Sequence, residues 1–140
     1  MWRGRAWRLV LLVGALAAPA GCDSGDPAAV PVRGTVLFRS EPLAGGTIVF
    51  TPDAERGGSG PLAHARIRPD GGYELSQPGA GGLAPGWYRV TIAPPPRPAG
   101  AAASPPPALP PKYRHPDHSG LLREVLPGGP NVFDFRLPAE

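Results

Sequence analysis

The chain has 140 residues, among them 22 prolines and 20 glycines, and a formal net charge of +3 at pH 7. Glycine and proline cost about 1 to 3 kcal/mol each in a helix interior, and no Gly-x-y period is present. This composition excludes a long-helix, coiled-coil or collagen protein. The excess positive charge equals the contribution of Arg3, Arg5 and Arg8. The rest of the chain is therefore neutral and gives no electrostatic reason to expect nucleic acid as a partner.

Residues 1–21 are typical of a secretory signal peptide. The three arginines precede an uncharged apolar run at residues 9–20. A helix of that length spans about 18 Å, whereas the hydrocarbon core of a bilayer is about 30 Å thick, so the run is too short for a stable membrane span. A basic start followed by a short apolar run predicts export and removal of the segment.

Cys22 is the only cysteine of the sequence, and it follows the small residues Ala20 and Gly21. This arrangement resembles the end of a bacterial lipobox, in which the thiol accepts a diacylglyceryl group and the cysteine becomes the new N-terminus. We therefore predict lipidation of Cys22, with residues 22–31 as lipidated N-terminus and polar tether. Pro19 stands where a lipobox normally has an aliphatic residue. Cleavage after Ala20 by ordinary signal peptidase is the alternative, and it would leave Cys22 as a free thiol.

Apolar and polar residues alternate with a period of two in several segments of the remaining chain. This alternation places the apolar side chains on one face, as a half-buried antiparallel strand requires. Residues 121–126 form a weaker seventh candidate. The predicted inward-facing residues of the other six are Val32, Val36 and Phe38; Ile48 and Phe50; Ala63, Ala65 and Ile67; Tyr73 and Leu75; Tyr88, Val90 and Ile92; and Phe133, Phe135 and Leu137.

Turn residues separate these segments. Asp70, Gly71 and Gly72 predict a tight hairpin between the third and fourth segments, and Gly128 with Gly129 predicts a turn before the last one. Residues 42–46 are predicted to connect the first two strands. About seven short strands at this spacing predict one all-β domain, a β-sandwich over residues 32–138.

Residues 93–112 interrupt the strand pattern with nine prolines. Proline cannot donate the hydrogen bond that a β-ladder needs, so this Pro/Ala-rich stretch is predicted to be a loop excursion on the surface. We interpret it as a spacer, with a proline-based docking motif as the alternative.

The order of several short motifs resembles that of the small, planctomycete-type bacterial lipoproteins of the carboxypeptidase regulatory-like family. The resemblance covers residues 32–138 and implies a transthyretin-like or starch-binding-like β-sandwich of Greek-key type. It implies an accessory fold rather than a peptidase, and it transfers no catalytic residues. The motifs are residues 32–36 (VRGTV), 42–50 (PLAGGTIVF), 70–73 (DGGY), 85–90 (PGWYRV), 110–114 (PPKYR), 119–121 (SGL) and 131–135 (NVFDF).

The candidates for metal binding or catalysis are few. His115, Asp117 and His118 could hold zinc on a loop, but no cysteine completes the set and His64 is predicted on an outward strand face. Ser59 lacks the strand-to-helix context of a nucleophile elbow, and the acidic residues are scattered singly. We therefore predict no catalytic residues, no metal site, no cofactor and no enzyme activity.

Trp87 is the one candidate for ligand binding, and the indication is weak. Tyr88 falls on the apolar face of its strand and is predicted to be core. Trp87 would then lie at the strand start or point the opposite way, where an indole either packs against neighbours or offers a flat face to a sugar. Packing is the favoured interpretation.

The sequence thus predicts an exported, membrane-anchored lipoprotein that is a non-catalytic structural or binding module at the cell envelope. The expected partners are the membrane, through the lipid anchor, and an envelope protein or polysaccharide, with nucleic acid excluded. A carbohydrate-binding accessory domain is the alternative. Both the inner and the outer membrane are consistent with the sequence as the place of the anchor.

Overall fold

The computed structural model describes residues 29–75, 82–96, 100 and 108–139. The predicted signal peptide, Cys22 and most of the tether lie outside the described residues. None of the helices in the described ranges is long and apolar enough to span a membrane. Two short 3-10 helices cover Ala54–Arg56 and Pro111–Arg114, and the strands are β1 (Val32–Phe38), β2 (Glu41–Pro42), β3 (Thr47–Pro52), β4 (Ala63–Arg66), β5 (Gly72–Leu75), β6 (Gly86–Ala93), β7 (Leu122–Val125), β8 (Asn131–Val132) and β9 (Phe135–Leu137).

The strands form two sheets. The first sheet is built on β1, which pairs antiparallel with β2 and β5 and parallel with β8 and β9. The second sheet is antiparallel throughout, in the order β4-β3-β6-β7. The chain crosses from one sheet to the other between β2 and β3, β4 and β5, β5 and β6, and β7 and β8. These crossings confirm the predicted all-β sandwich.

The apolar faces of both sheets meet in a single core. Phe50 is fully buried, and its ring centroid lies 6.2 to 6.3 Å from those of Tyr73, Tyr88, Phe133 and Phe135. Aromatic pairs at such distances add to the stabilisation that burial provides. The inward-facing positions predicted from the period-two pattern are buried, apart from Phe133, which is half-buried. The weak seventh candidate contains β7.

The turn at Asp70 to Gly72 has the predicted chemistry but a different role. The Asp70 carboxylate accepts from the Gly72 N–H at 2.9 Å, and Gly71 has a φ of +80°. However, β4 pairs with β3 in one sheet and β5 pairs with β1 in the other. The predicted hairpin is therefore wrong, and the turn is a corner between sheets, because the two strands cover opposite sides of the core.

A short strand replaces the start of the predicted connector at residues 42–46. β2 pairs with the end of β1, so that Glu41 lies opposite Phe38. Arg39 and Ser40 make the two-residue turn between them, with φ of +53° and +68°. The apolar pattern did not predict β2, since neither of its residues contributes a buried apolar side chain.

The last predicted strand is divided into β8 and β9 at Phe133 and Asp134. The Asp134 carboxylate accepts from the Thr35 N–H at 2.9 Å and from the Thr35 hydroxyl at 2.6 Å. The Tyr73 hydroxyl donates to the Phe133 carbonyl at 2.8 Å. Side chains thus replace ladder hydrogen bonds at the break, and the two halves continue to pair with β1.

The Pro/Ala-rich stretch is not wholly a surface excursion. Leu109 is 2% exposed and belongs to the core, and Tyr113 follows it at 3% exposure on the 3-10 helix that Pro111 begins. The prediction for residues 93–112 is therefore wrong at the C-terminal end. Burial of one leucine stabilises the fold by roughly 1.5 to 3 kcal/mol, which holds this end of the stretch against the core. Residues 97–99 and 101–107 lie outside the described residues.

Candidate functional site

The outer face of the second sheet carries Trp87. β6 buries Tyr88, Val90 and Ile92 in the core, so Trp87 and Arg89 project to the opposite side. Tyr88 is confirmed as a core residue, and its hydroxyl donates to the Ala84 carbonyl at 2.8 Å. Trp87 is half-buried at the start of the strand, as the sequence predicts.

The connection between β3 and β4 folds back along the start of β6. The Asp53 N–H donates to the Trp87 carbonyl at 2.8 Å, and the Gly58 N–H donates to the Asp53 carbonyl at 2.8 Å. A Cβ on Gly58 would lie 2.3 Å from the Trp87 carbonyl oxygen. Glycine at this position therefore allows the loop to lie directly on the strand.

Arg89 is the centre of an ion-pair network on this face. Its guanidinium contacts Asp53 (Nε to Oδ2, 3.2 Å), Glu55 (Nη2 to Oε2, 2.6 Å) and Asp117 (Nη1 to Oδ1). The Asp53 side chain is only 2% exposed. The hydrogen bond to Asp53, with the nearby charges of all three carboxylates, raises the pKa of Arg89 although burial acts in the opposite direction. Arg89 therefore stays charged and holds the β3–β4 connection and the β6–β7 connection together.

Arg56 lies against the Trp87 ring, with the guanidinium carbon 5.5 Å from the ring centroid. Its Nε is also 3.5 Å from Asp53 Oδ2, which joins it to the Arg89 network. A cation over an indole is attracted by the π-electrons of the ring. One face of Trp87 is thus occupied, so a sugar would stack on the other face or displace Arg56. Ligand binding by Trp87 stays a prediction.

The histidine pair is close, but Asp117 does not complete it. The rings of His115 and His118 lie edge to face, with centroids 6.0 Å apart, while the Asp117 carboxylate pairs with Arg89. His64 is exposed on β4, opposite Val49 of β3. Among the described residues, no group of three or more His, Cys, Asp or Glu side chains is placed to hold a metal ion.

Ser59 is exposed in the connection between β3 and β4. The next regular element is the strand that begins at Ala63 and not a helix. The position lacks the strand-turn-helix geometry that exposes a nucleophilic serine above a sheet.

A groove of about 480 Å³ opens between the β1–β2 hairpin and the two described ends of the Pro/Ala-rich stretch. Its walls are mainly apolar, and Glu41 and Arg114 add one charge of each sign. Two shallower depressions of about 330 and 250 Å³ border Arg89 and Asp117. Prominent apolar residues of the groove are Phe38, Pro42, Leu43, Pro94, Pro95 and Leu109.

Sequence reasoning identified neither the Arg89 network nor the groove. Asp53, Glu55 and Asp117 come from two loops that are far apart in the chain, and each occurs as a single acidic residue. A lone arginine among the outward positions of a predicted strand is the one available signal, and it does not name its partners. The groove likewise combines residues from separate segments.

Comparison of the chain with protein-family models, with curated proteins and with solved structures finds no match.

Proposed function

We propose that this protein is a non-catalytic structural or binding module that is exported and held at the cell envelope by a lipid on Cys22. The observation that carries the proposal is the use of ionisable groups on the outer face of the second sheet. Three carboxylates surround one arginine there, so these ionisable side chains hold two loops in place.

General acid–base catalysis needs a group that can gain and lose a proton near neutral pH and reach a substrate. Arg89 stays protonated, and its pKa is raised further by the contacts with Asp53 and the other two carboxylates. Carboxylates lie on three sides of this guanidinium, and such an arrangement stiffens a surface. The groove beside the β1–β2 hairpin supports a binding role, because an apolar-walled cleft of several hundred cubic ångströms is the usual form of a ligand site.

The resemblance to carboxypeptidase regulatory-like lipoproteins belongs to the same proposal. A β-sandwich is the fold that the resemblance requires, and a lone cysteine after an apolar run is the anchor that such lipoproteins use. The resemblance supplies no substrate or partner, so an envelope protein or a polysaccharide is proposed as the class of partner.

The non-catalytic assignment is tested with the purified exported protein. We expect no hydrolysis of nitrophenyl acetate, nitrophenyl phosphate or nitrophenyl glycosides above the rate in buffer. We also expect co-sedimentation with isolated envelope material from the producing cells, compared with the heat-unfolded protein as control. Turnover that disappears in the His115→Ala or Ser59→Ala variant would contradict the assignment.

The alternative function is carbohydrate binding at Trp87. An outward-facing indole beside Arg56, with Glu124 opposite in β7, favours it, because sugar sites combine a flat aromatic face with polar groups for the hydroxyls. Trp2 and Trp7 fall in the predicted signal peptide, so Trp87 is the only tryptophan of residues 22–140.

The fluorescence of the processed protein therefore reports on Trp87 alone. Titration with soluble peptidoglycan fragments or chitin oligosaccharides should shift its emission if this alternative holds. Binding should weaken in Trp87→Ala and persist in part in Trp87→Phe, which keeps an aromatic face. Unchanged emission at saturating sugar would eliminate Trp87 as a platform for these sugars.

A further inference from the structure

The turn between β1 and β2 holds two residues in an unfavourable backbone conformation. Arg39 and Ser40 have φ of +53° and +68°, the left-handed region in which a side chain crowds the backbone. Tight hairpin turns of this kind normally take Asn-Gly. Unfavourable conformations of this sort persist where the surroundings impose them, and they cluster at functional sites.

The same turn borders a cavity of about 450 Å³ at the end of the first sheet. The Arg39 N–H donates to the Leu137 carbonyl at 3.1 Å, which fastens the turn to the end of β9. Arg136 lies level with Leu37 in the parallel pair of β9 and β1, so both side chains project from the same face. The cavity is lined by Leu37, Arg39, Ser40, Arg136, Leu137 and Pro138.

Among the described residues, the positive charge beside this cavity has no acidic counterpart. Arg39 lies over the Phe38 ring, with its guanidinium carbon 5.3 Å from the centroid. Within the described part of the chain, neither Arg39 nor Arg136 forms an ion pair, and no acidic residue lines the cavity.

We propose that Arg39, Ser40 and Arg136 form a binding site for a phosphate group carried by a partly apolar molecule. Guanidinium groups recognise phosphate through paired N–H donors, and a serine hydroxyl adds a donor. The cavity is larger than a free phosphate ion needs, and Leu37, Leu137 and Pro138 provide contacts for a carbon skeleton. The site is separate from Trp87 and from the Arg89 network.

Two sources supply such a group, a soluble phosphate ester and the headgroup of an anionic phospholipid. The chemistry of recognition is the same for both. The lipid source rests on the proposed envelope location, whereas the soluble source does not. The experiment therefore includes one probe of each kind.

The test uses the processed chain, residues 22–140, with Cys22→Ser, so that attachment to vesicles comes neither from a lipid anchor nor from the basic, apolar signal peptide. Glycerol 3-phosphate is titrated by calorimetry at low ionic strength, with glycerol as the uncharged control. Sedimentation with phosphatidylglycerol vesicles is compared with sedimentation with phosphatidylcholine vesicles. We expect binding of at least one phosphate probe, and a fall in its association constant of about tenfold or more in both Arg39→Gln and Arg136→Gln.

Arg66→Gln is the matched control, because Arg66 is an exposed arginine of β4 in the other sheet, and its binding should equal that of the parent. The double variant Arg39→Asn with Ser40→Gly should unfold at a higher temperature and bind less, since it relieves the turn and removes the donors.

Binding of glycerol 3-phosphate alone assigns a soluble ester, and binding of the vesicles alone assigns a lipid headgroup. Failure to bind either probe overturns the proposal, as does equal weakening in Arg66→Gln. Neither result bears on the hydrolysis assays that test the non-catalytic assignment.

Discussion

The Asp53 side chain joins the 3-10 helix at Ala54–Arg56 to β6. Its Oδ1 accepts from the Glu55 N–H at 3.2 Å, which caps the 3-10 helix. Its Oδ2 lies 3.5 Å from Arg56 Nε and 3.2 Å from Arg89 Nε. This carboxylate is almost fully buried. Its loss would leave Arg56 and Arg89 without the partner that they share.

We expect Asp53→Ala to lower the free energy of unfolding by about 1 to 3 kcal/mol, measured by urea denaturation. Asp53→Asn should cost less, because an amide oxygen still caps the helix. Asp70→Ala is the matched control, since Asp70 also caps a turn and contacts an arginine but is 72% exposed. It should cost under about 1 kcal/mol. Equal losses in both alanine variants would show that the network adds nothing.

Two buried phenols make the fold sensitive to alkali. Burial raises the pKa of Tyr73, an effect that Arg123 reduces and Asp134 increases, and burial also raises the pKa of Tyr88. The folded protein thus holds these protons more tightly than the unfolded chain, in which the pKa is about 10. The contribution of these phenols to the free energy of unfolding is therefore complete below that pH. It is lost as the pH rises from there through the higher pKa of the folded state.

The unfolding temperature should therefore be level between about pH 8 and pH 9.5 and fall above about pH 10. The Tyr73→Phe, Tyr88→Phe double variant should show a shallower fall, although it is less stable at neutral pH because the Phe133 and Ala84 carbonyls lose their donors. Calorimetric scans across this range measure both effects. An identical alkaline slope in the double variant would contradict the assignment to these phenols.

The break between β8 and β9 depends on a glycine of β1. A Cβ at Gly34 would lie 1.9 Å from the Phe133 carbonyl oxygen and 3.0 Å from the Tyr73 hydroxyl. The close approach brings that carbonyl to the Tyr73 donor. Any side chain at residue 34 must push the C-terminal segment away from β1.

Gly34→Ala should therefore destabilise the protein by about 1 to 3 kcal/mol in chemical denaturation, as overpacking of a well-packed site does. Gly129→Ala is the control, because the nearest atom to its added Cβ is Leu126 Cβ at 3.9 Å. We expect a change within about 0.5 kcal/mol there. Similar losses at both positions would attribute the effect to glycine replacement in general.

Leu109 fixes the end of the Pro/Ala-rich stretch to the core. Leu109→Ala should lower the free energy of unfolding by about 2 to 5 kcal/mol, because it removes a side chain that is only 2% exposed and leaves a cavity. Leu62→Ala makes the same chemical change at a position that is 55% exposed, and it should be nearly neutral. Urea denaturation compares the two. A neutral Leu109→Ala would mean that the stretch is attached elsewhere.

The strands were predictable because their period-two pattern is local. Phe50 and Phe135 were predicted as core on that basis, and both are fully or almost fully buried. The division into sheets was not predictable, since Asp70, Gly71 and Gly72 make the same tight turn whether the strands pair or separate. β2 escaped prediction because a two-residue strand has no period.

The candidate site was less accessible from sequence for a related reason. Trp87 was placed correctly on an outward position, because its neighbour Tyr88 fits the apolar face. The Arg89 network and the position of Leu109 depend on segments that meet only in the folded chain. A single acidic residue or a single leucine between prolines carries no signal of such a meeting.

The proposed attachment to the membrane depends on Cys22. Cys22→Ser should move the protein from the membrane fraction to the soluble fraction, because two or more acyl chains provide stable anchoring. The mature protein should also lose the mass of the lipid. Fractionation and intact mass spectrometry measure this. A protein that begins at Gly21 with an unmodified thiol would contradict lipidation. The far-ultraviolet circular dichroism of the variant should remain that of a β-protein.

The parallel pairing of β1 with β9 has a mechanical consequence. Val36 lies level with Phe135 and Phe38 with Leu137, so the chain enters this pair at one end of the sheet and leaves it at the other. A pull between residues 31 and 138 then acts along both strands and shears their hydrogen bonds together, whereas an antiparallel terminal pair would open one bond at a time. A domain loaded in this direction resists extension and passes tension on to whatever holds its far end.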